Sequence, residues 1–223
     1  MQVNESESDP PSPTYLGNFD LYNMESPFLS KPFPQKDASI SQYEDVYKMI
    51  LTHQAKGDNA AQFFLASPTD RIGSYRVRSY LTSPAIMDPM VECPFEIDIG
   101  SIKHRSSLSF PNDKLPSFGV GRASPGISAL TSLGGGRCGI RSASGVFKLR
   151  VWTKAVSSNE FTELFAGYFT FNVSYGGMYK SSGMGTGQKH KWGFWAVRAR
   201  TGDDGKEIGL HPVLPVSVRA NAG

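Results

Sequence analysis

The hydrophobic pattern of this chain runs mostly at period two. Phe147, Leu149, Val151 and Thr153 alternate with Lys148, Arg150, Trp152 and Lys154, the pattern of a half-buried strand. Phe165 to Tyr175 alternates again, with Phe165, Phe169, Phe171, Val173 and Tyr175 on one face. Ser157, Ser158 and Asn159 supply turn chemistry between the two. A β-pair carrying much of the core is expected here, with Glu160–Leu164 either a short helical turn or the approach to the second strand. Gln62–Ala66, Ile72–Thr82, Phe95–Ile99 and Trp192–Arg200 read as further strands, and Ile208–Val218 as a last one broken by Pro212 and Pro215. One stretch has helical spacing instead. Ile40, Tyr43, Val46, Tyr47, Ile50 and Leu51 form one apolar stripe over Ser39–Lys56, stopped by Gly57. The expected class is α+β, mostly β: an antiparallel sheet with one N-terminal amphipathic helix packed on it.

Where the alternation fails, loops are expected. Residues 1–37 read as a disordered, Pro-rich acidic head, too poor in apolar surface to offset its ordering entropy. Aromatic residues are nevertheless spaced through it. They fit either a short partner motif around Pro10, Pro11, Pro13 and Tyr15 or an arm docked on the parent domain. Residues 106–145, rich in Ser, Gly and Pro, read as a long irregular excursion with a turn of helix at Ile127–Leu133. Residues 176–191 read as a glycine loop tipped by Lys189, His190 and Lys191. The domain plan is the head, one basic α+β domain over 38–219, and a frayed tail over 220–223.

Charge sharpens this plan. Residues 1–70 carry ten acids against four bases, and residues 71–223 carry ten acids against nineteen bases. An acidic front and a basic body point to a body that meets an anionic surface. Catalytic signatures are missing: there is no phosphate loop, no Gly-x-Ser-x-Gly elbow and no His or Cys pair at metal-ligand spacing. No enzyme activity, cofactor or metal is expected. An enzyme with a site assembled from dispersed residues is the third-ranked class. Two distant cysteines exclude a disulfide scaffold.

The bases fall into groups. Arg76 and Arg78 share one strand face, and Lys148, Arg150 and Lys154 share another with Trp152. Lys189, Lys191, Arg198 and Arg200 cluster near Trp192 and Trp195. Bases interleaved with aromatics suit a phosphate backbone with base stacking, or anionic lipid with Trp at head-group level. They also suit an ordinary basic sheet face.

The order of parts, with SPTYLGNFDLYNME at 12–25 and Lys31-Pro32-Phe33 just before the helix, resembles a rhabdovirus-type matrix protein of a negative-strand RNA virus. The resemblance covers about the first 55 residues. It implies a non-catalytic structural protein of the virion that self-associates and links an anionic membrane to viral nucleoprotein or RNA. It also implies a place in the host cytoplasm and at the inner face of membranes, and a host protein binding the Pro-rich head. Residues 1–30 carry no base and no Pro-Pro-x-Tyr motif, so the membrane-facing charge is expected on the body. The alternative is a nucleic-acid-binding viral coat or movement protein, which the acidic arm disfavours.

Overall fold

The computed structural model describes residues 14–29, 40–57, 61–110, 125–133, 138–157 and 160–214, with backbone alone at 40–42, 152–157 and 160–161. In chain order the elements are β1 (Gly17–Asn23), α1 (Ile40–Gln54), β2 (Gln62–Leu65), β3 (Arg71–Ile72), β4 (Tyr75–Arg76), β5 (Ser79–Thr82) and β6 (Met87–Asp88). There follow β7 (Cys93–Pro94), β8 (Ile97–Arg105), β9 (Gly126–Leu133), β10 (Ile140–Ser157), β11 (Glu160–Tyr175), α2 (Gly177–Ser181) and β12 (Gly187–Arg198).

Eight of these strands close into an antiparallel barrel in the order β1-β12-β11-β10-β9-β8-β5-β2. The mostly-β expectation therefore holds. The sheet leaves no open edge, however, and among the described residues two helices accompany it rather than one. Closure explains the strict alternation: inward residues pack with one another across the lumen and outward residues face something else. The inward set is aromatic. Phe19, Phe63, Phe147, Phe165, Phe169, Phe171 and Phe194 are wholly buried in one cluster. Phe19 stacks on Phe63 at 4.7 Å, and Phe147 lies 5.6 Å from Phe194. Each such ring contributes about 1.5–3 kcal/mol by leaving water. Gly167 makes room for them: a Cβ there would sit 2.0 Å from the Phe194 ring. The lumen is a packed core.

The β-pair read from sequence forms the longest ladder, with Phe147 opposite Phe169 and Val151 opposite Phe165. Glu160–Leu164 is the start of β11, not a helical turn. Several expectations fail. Gly17–Asn23 is not disordered: it is β1, hydrogen-bonded between β12 and β2, with Phe19, Leu21 and Tyr22 buried. The docked-arm reading is the one the described part of the head follows. Ile72–Thr82 is a small hairpin, β3–β4 turning at Gly73, followed by β5. Ile127–Leu133 lies in strand β9, because its inward Ile127 and Ala129 complete the core while small outward serines hide the alternation. Lys189–Lys191 belongs to β12, not to a loop tip, and His190 turns inward beside Trp192 and Gln188. Burial holds the His190 ring below the usual histidine pKa. Ile208–Leu214 forms only a bridge from Val213 to Arg78; Pro215–Val218 and the tail 220–223 lie outside the described residues.

Candidate anion-binding face

Two parts of the barrel exterior are occupied by the chain itself. Tyr22, Leu164, Ala166, Trp195 and Val197, all outward, are buried in one cluster with Leu29 and with Tyr43, Val46 and Ile50 of α1. Phe64 and Tyr80, outward on β2 and β5, cluster with Leu210 and Val213 of the C-terminal segment. Among the described residues the outer faces of β8 and β9, and those of β10, β11 and β12 around Val146, Thr170 and Lys191 and beyond, are exposed or half-exposed, while Arg150 and Tyr168, outward on β10 and β11, are buried.

Register decides which side chains share that open face, because directly paired residues point the same way. Lys103, Ser128 and Lys148 stand in one row. Leu130, Val146, Thr170 and Lys191 stand in the next, and Ser132, Ser144, Asn172 and Lys189 in a third. Arg105 pairs with Gly126 at the other end. By strand geometry Lys148 and Lys191 lie roughly 10 Å apart across the sheet and about 7 Å along it. That is comparable to the screening length in physiological salt, so the charges act as one field rather than as isolated points.

Among the described side chains of these strands, acids do not cancel this field. Among the described side chains of β8–β12 the carboxylates are Asp98 and Glu163, and each is ion-paired, Asp98 with Arg78 and Glu163 with Arg198 at 2.9 Å. Lys103, Arg105, Lys148, Lys189 and Lys191 form no ion pair among the described residues; Lys148 donates to the Ser109 carbonyl at 2.8 Å and Arg105 to the Ser128 hydroxyl at 3.2 Å. Leu130, 58% exposed, sits among them.

The structure brings together only part of the set read from sequence. Lys148, Lys189 and Lys191 share the face. Arg76 is exposed but stands on the β3–β4 hairpin, apart from it. Arg78 is buried, ion-paired with Glu96 and Asp98 and placed over the Tyr80 ring, so it neutralises acids instead of recruiting an anion. Arg150 is buried with its guanidinium 4.3 Å from the Phe110 ring centre; burial lowers its pKa and nearby Tyr43 partly restores it. Arg198 closes one end of the barrel, over the Phe19 and Phe165 rings and donating to the Thr14 and Leu16 carbonyls. Arg200 is exposed beside Gly57, past the end of α1. The side chains of Trp152 and Lys154 lie outside the described residues.

The aromatic contacts are corrected too. Trp192 points into the barrel against Phe169 at 4.9 Å, and Trp195 is 4% exposed with Tyr43 edge-on to it. Neither presents a ring for stacking. Tyr15 is also buried, edge-on to Phe165 and donating to the Pro125 carbonyl, and burial pushes its pKa up to about 12. It is no exposed partner motif; Pro10, Pro11 and Pro13 lie outside the described residues.

Lys103 and Arg105 are the bases that sequence reading missed. They alternate with His104, but a bulge between Gly100 and Lys103 breaks the register set by Phe95, Ile97 and Ile99. Carrying the period-two pattern past that break was the available signal. Among the described residues no group of His, Cys, Asp or Glu could hold a metal, and no helix is long and apolar enough to cross a membrane. No protein-family model, curated protein or solved structure matches this chain.

Proposed function

We propose that this chain is a non-catalytic assembly protein of the matrix type, which meets an anionic membrane through the open outer face of β8–β12. One observation carries the reading: five exposed or half-exposed bases, Lys103, Arg105, Lys148, Lys189 and Lys191, share that face with no unpaired carboxylate among its described side chains. Leu130 in their midst supports lipid over nucleic acid, because an apolar side chain ringed by bases suits the boundary between head groups and acyl chains. The burial of Trp195 and the inward, partly buried placement of Trp192 support the same choice, since a single-stranded nucleic acid site uses open rings for stacking. In this reading α1 braces the opposite side of the barrel, and self-association and a nucleocapsid partner complete the matrix role, at the inner face of membranes and in the virion.

The test is co-sedimentation of the full chain with anionic and neutral vesicles at low and high salt, with single-stranded RNA as competitor. Pelleting only with anionic vesicles, lost at high salt and little changed by RNA, is the expected result. Tight, salt-dependent RNA binding without vesicle binding would overturn the membrane reading in favour of a coat or movement protein.

A further inference from the structure

We infer that the open face contains one defined subsite, a groove across β8, β9 and β10 that takes a phosphomonoester dianion. This rests on the anion-binding reading above and goes beyond it, since a diffuse charged face needs no such site. The groove has a volume of about 320 Å³ and is lined by Ser101, Lys103, Arg105, Ser128, Leu130 and Lys148. Three basic residues and two serines therefore line one small space, whose floor also includes Ala129 and Val146. A phosphodiester carries one negative charge and is served anywhere on the face. A monoester carries nearly two at neutral pH and gains most where several cations and donors reach it together.

The groups are held in place. Arg105 Nε donates to Ser128 Oγ, which fixes the guanidinium and leaves its two terminal nitrogens to donate elsewhere. Lys148 Nζ spends one hydrogen on the Ser109 carbonyl and keeps two. The backbone is shaped as well. Ser101 has φ of +53°, a left-handed conformation uncommon for a residue with a side chain, and it sits inside the bulge of β8. Bulges re-aim side chains, and backbone strain of this kind collects at binding sites. Here the bulge sets Lys103 and Arg105 outward beside Ser128 and Gly126, after a stretch in which Ile97 and Ile99 point inward.

Vesicles of equal surface potential test the proposal, one set anionic through phosphatidylserine and the other through a lipid with a terminal phosphomonoester. Soluble glycerol 3-phosphate, followed by the amide shifts of Ser101 and Ser128, separates a lipid-borne from a free phosphate. Arg105→Gln with Lys148→Gln removes two groove charges; Lys189→Gln with Lys191→Gln removes two charges outside it. The expected result is about tenfold tighter binding to the monoester vesicles, abolished by the groove pair and retained, on a weaker background, by the outer pair. Equal binding to both vesicle types, or equal losses from both pairs, would overturn the groove while leaving the membrane reading standing. If no anionic vesicle binds, the membrane reading fails. Saturable glycerol 3-phosphate shifts at Ser101 and Ser128 would then support a site for a free phosphomonoester, and their absence would overturn it.

Discussion

The outer face of β12 divides into two halves. Lys189 and Lys191 are exposed, whereas Trp195 and Val197, the same face a few residues on, are 4% and 2% exposed in the cluster that includes Tyr43, Val46 and Ile50. The halves meet near Gly193, whose carbonyl accepts from the Met24 amide. β11 divides at the same level: Leu164 and Ala166 are buried, Asn172 and Ser174 exposed. Both halves sit on the same aromatic core and use the same ladder. They differ only in outward side chains, apolar where the chain covers its own barrel and basic or small where it does not. A strand face that looks outward is thus no guarantee of contact with solvent or ligand, and a Trp among bases is not by position a contact residue.

The largest predicted effect breaks the covered half. Trp195→Ala should cost about 3–5 kcal/mol by removing a buried indole from the cluster. The readout is a lower urea midpoint at unchanged slope. Lys191→Ala, on the same face of the same strand, should leave the midpoint where it was. Equal midpoints for the two variants would show that the halves do not differ as described.

A smaller loss is expected where Asp20 ties elements together. Its two oxygens accept from Gln54 Nε2 of α1 at 2.6 Å and from Gln62 Nε2 of β2 at 2.7 Å. Asp20→Asn replaces one acceptor with an amide that faces another amide. The mismatch should cost about 1–3 kcal/mol and speed hydrogen exchange in the last turn of α1. Unchanged exchange there would show that Gln54 is held by the Arg198 carbonyl alone, its other partner at 2.8 Å.

Alkaline pH offers a reversible version. Burial raises the pKa of Tyr22, with Asp20 adding to it and Arg200 opposing it, and burial likewise raises that of Tyr43 against an opposing Arg150. Tyr15, on the core side, is raised to about 12. A folded-state pKa above the unfolded value of about 10 means stability fully present below pH 10 and lost as pH climbs through the raised values. The cluster around α1 holds both Tyr22 and Tyr43. Amide exchange should therefore accelerate first in α1 between about pH 10 and 12. Earlier acceleration in β8 and β9 would reverse the ranking of the two halves.

The sequence pattern was informative where the barrel is regular and misleading where it bends. The β10–β11 pair, the inward Phe95, Ile97 and Ile99, and the Tyr43, Val46 and Ile50 part of the helical stripe were legible because apolar side chains recur at fixed spacing on one face, whereas Leu51, read into the same stripe, is exposed. β1 was hidden by its neighbours: prolines and acids dominate residues 1–37, and the seven residues that enter the barrel look like part of that composition. β9 was hidden because Ser128 and Ser132 face outward and Gly126 replaces a side chain altogether. For the site, alternation set Lys148 outward, whereas Lys189 and Lys191 were expected on a loop tip and stand instead on the outer face of β12. It could not show that Arg78 and Arg198 meet carboxylates far away in sequence, nor that residues before and after the strands would cover Arg150 and Trp195. Those are tertiary facts, set by which half of the exterior the chain returns to.

The smallest effect on stability falls at Leu130, and it discriminates sharply between partners. Leu130 is 58% exposed on β9, outside both covered clusters, so Leu130→Ser should shift the unfolding midpoint by less than about 0.5 kcal/mol equivalent. Its contribution to vesicle binding is of another kind from that of the bases. Charge brings the face to the membrane over about a screening length, while an apolar side chain acts only after contact, by leaving water at the head-group boundary. Leu130→Ser should weaken binding to anionic vesicles several-fold, at about 1 kcal/mol for a side chain already partly shielded, and the loss should persist as salt is raised. Binding to single-stranded RNA should be unchanged by the same substitution, because a phosphate backbone gains nothing from an isolated leucine. Equal loss toward both ligands would mean that Leu130 supports the shape of the face rather than entering the membrane, and the covered and open halves would then differ in charge alone.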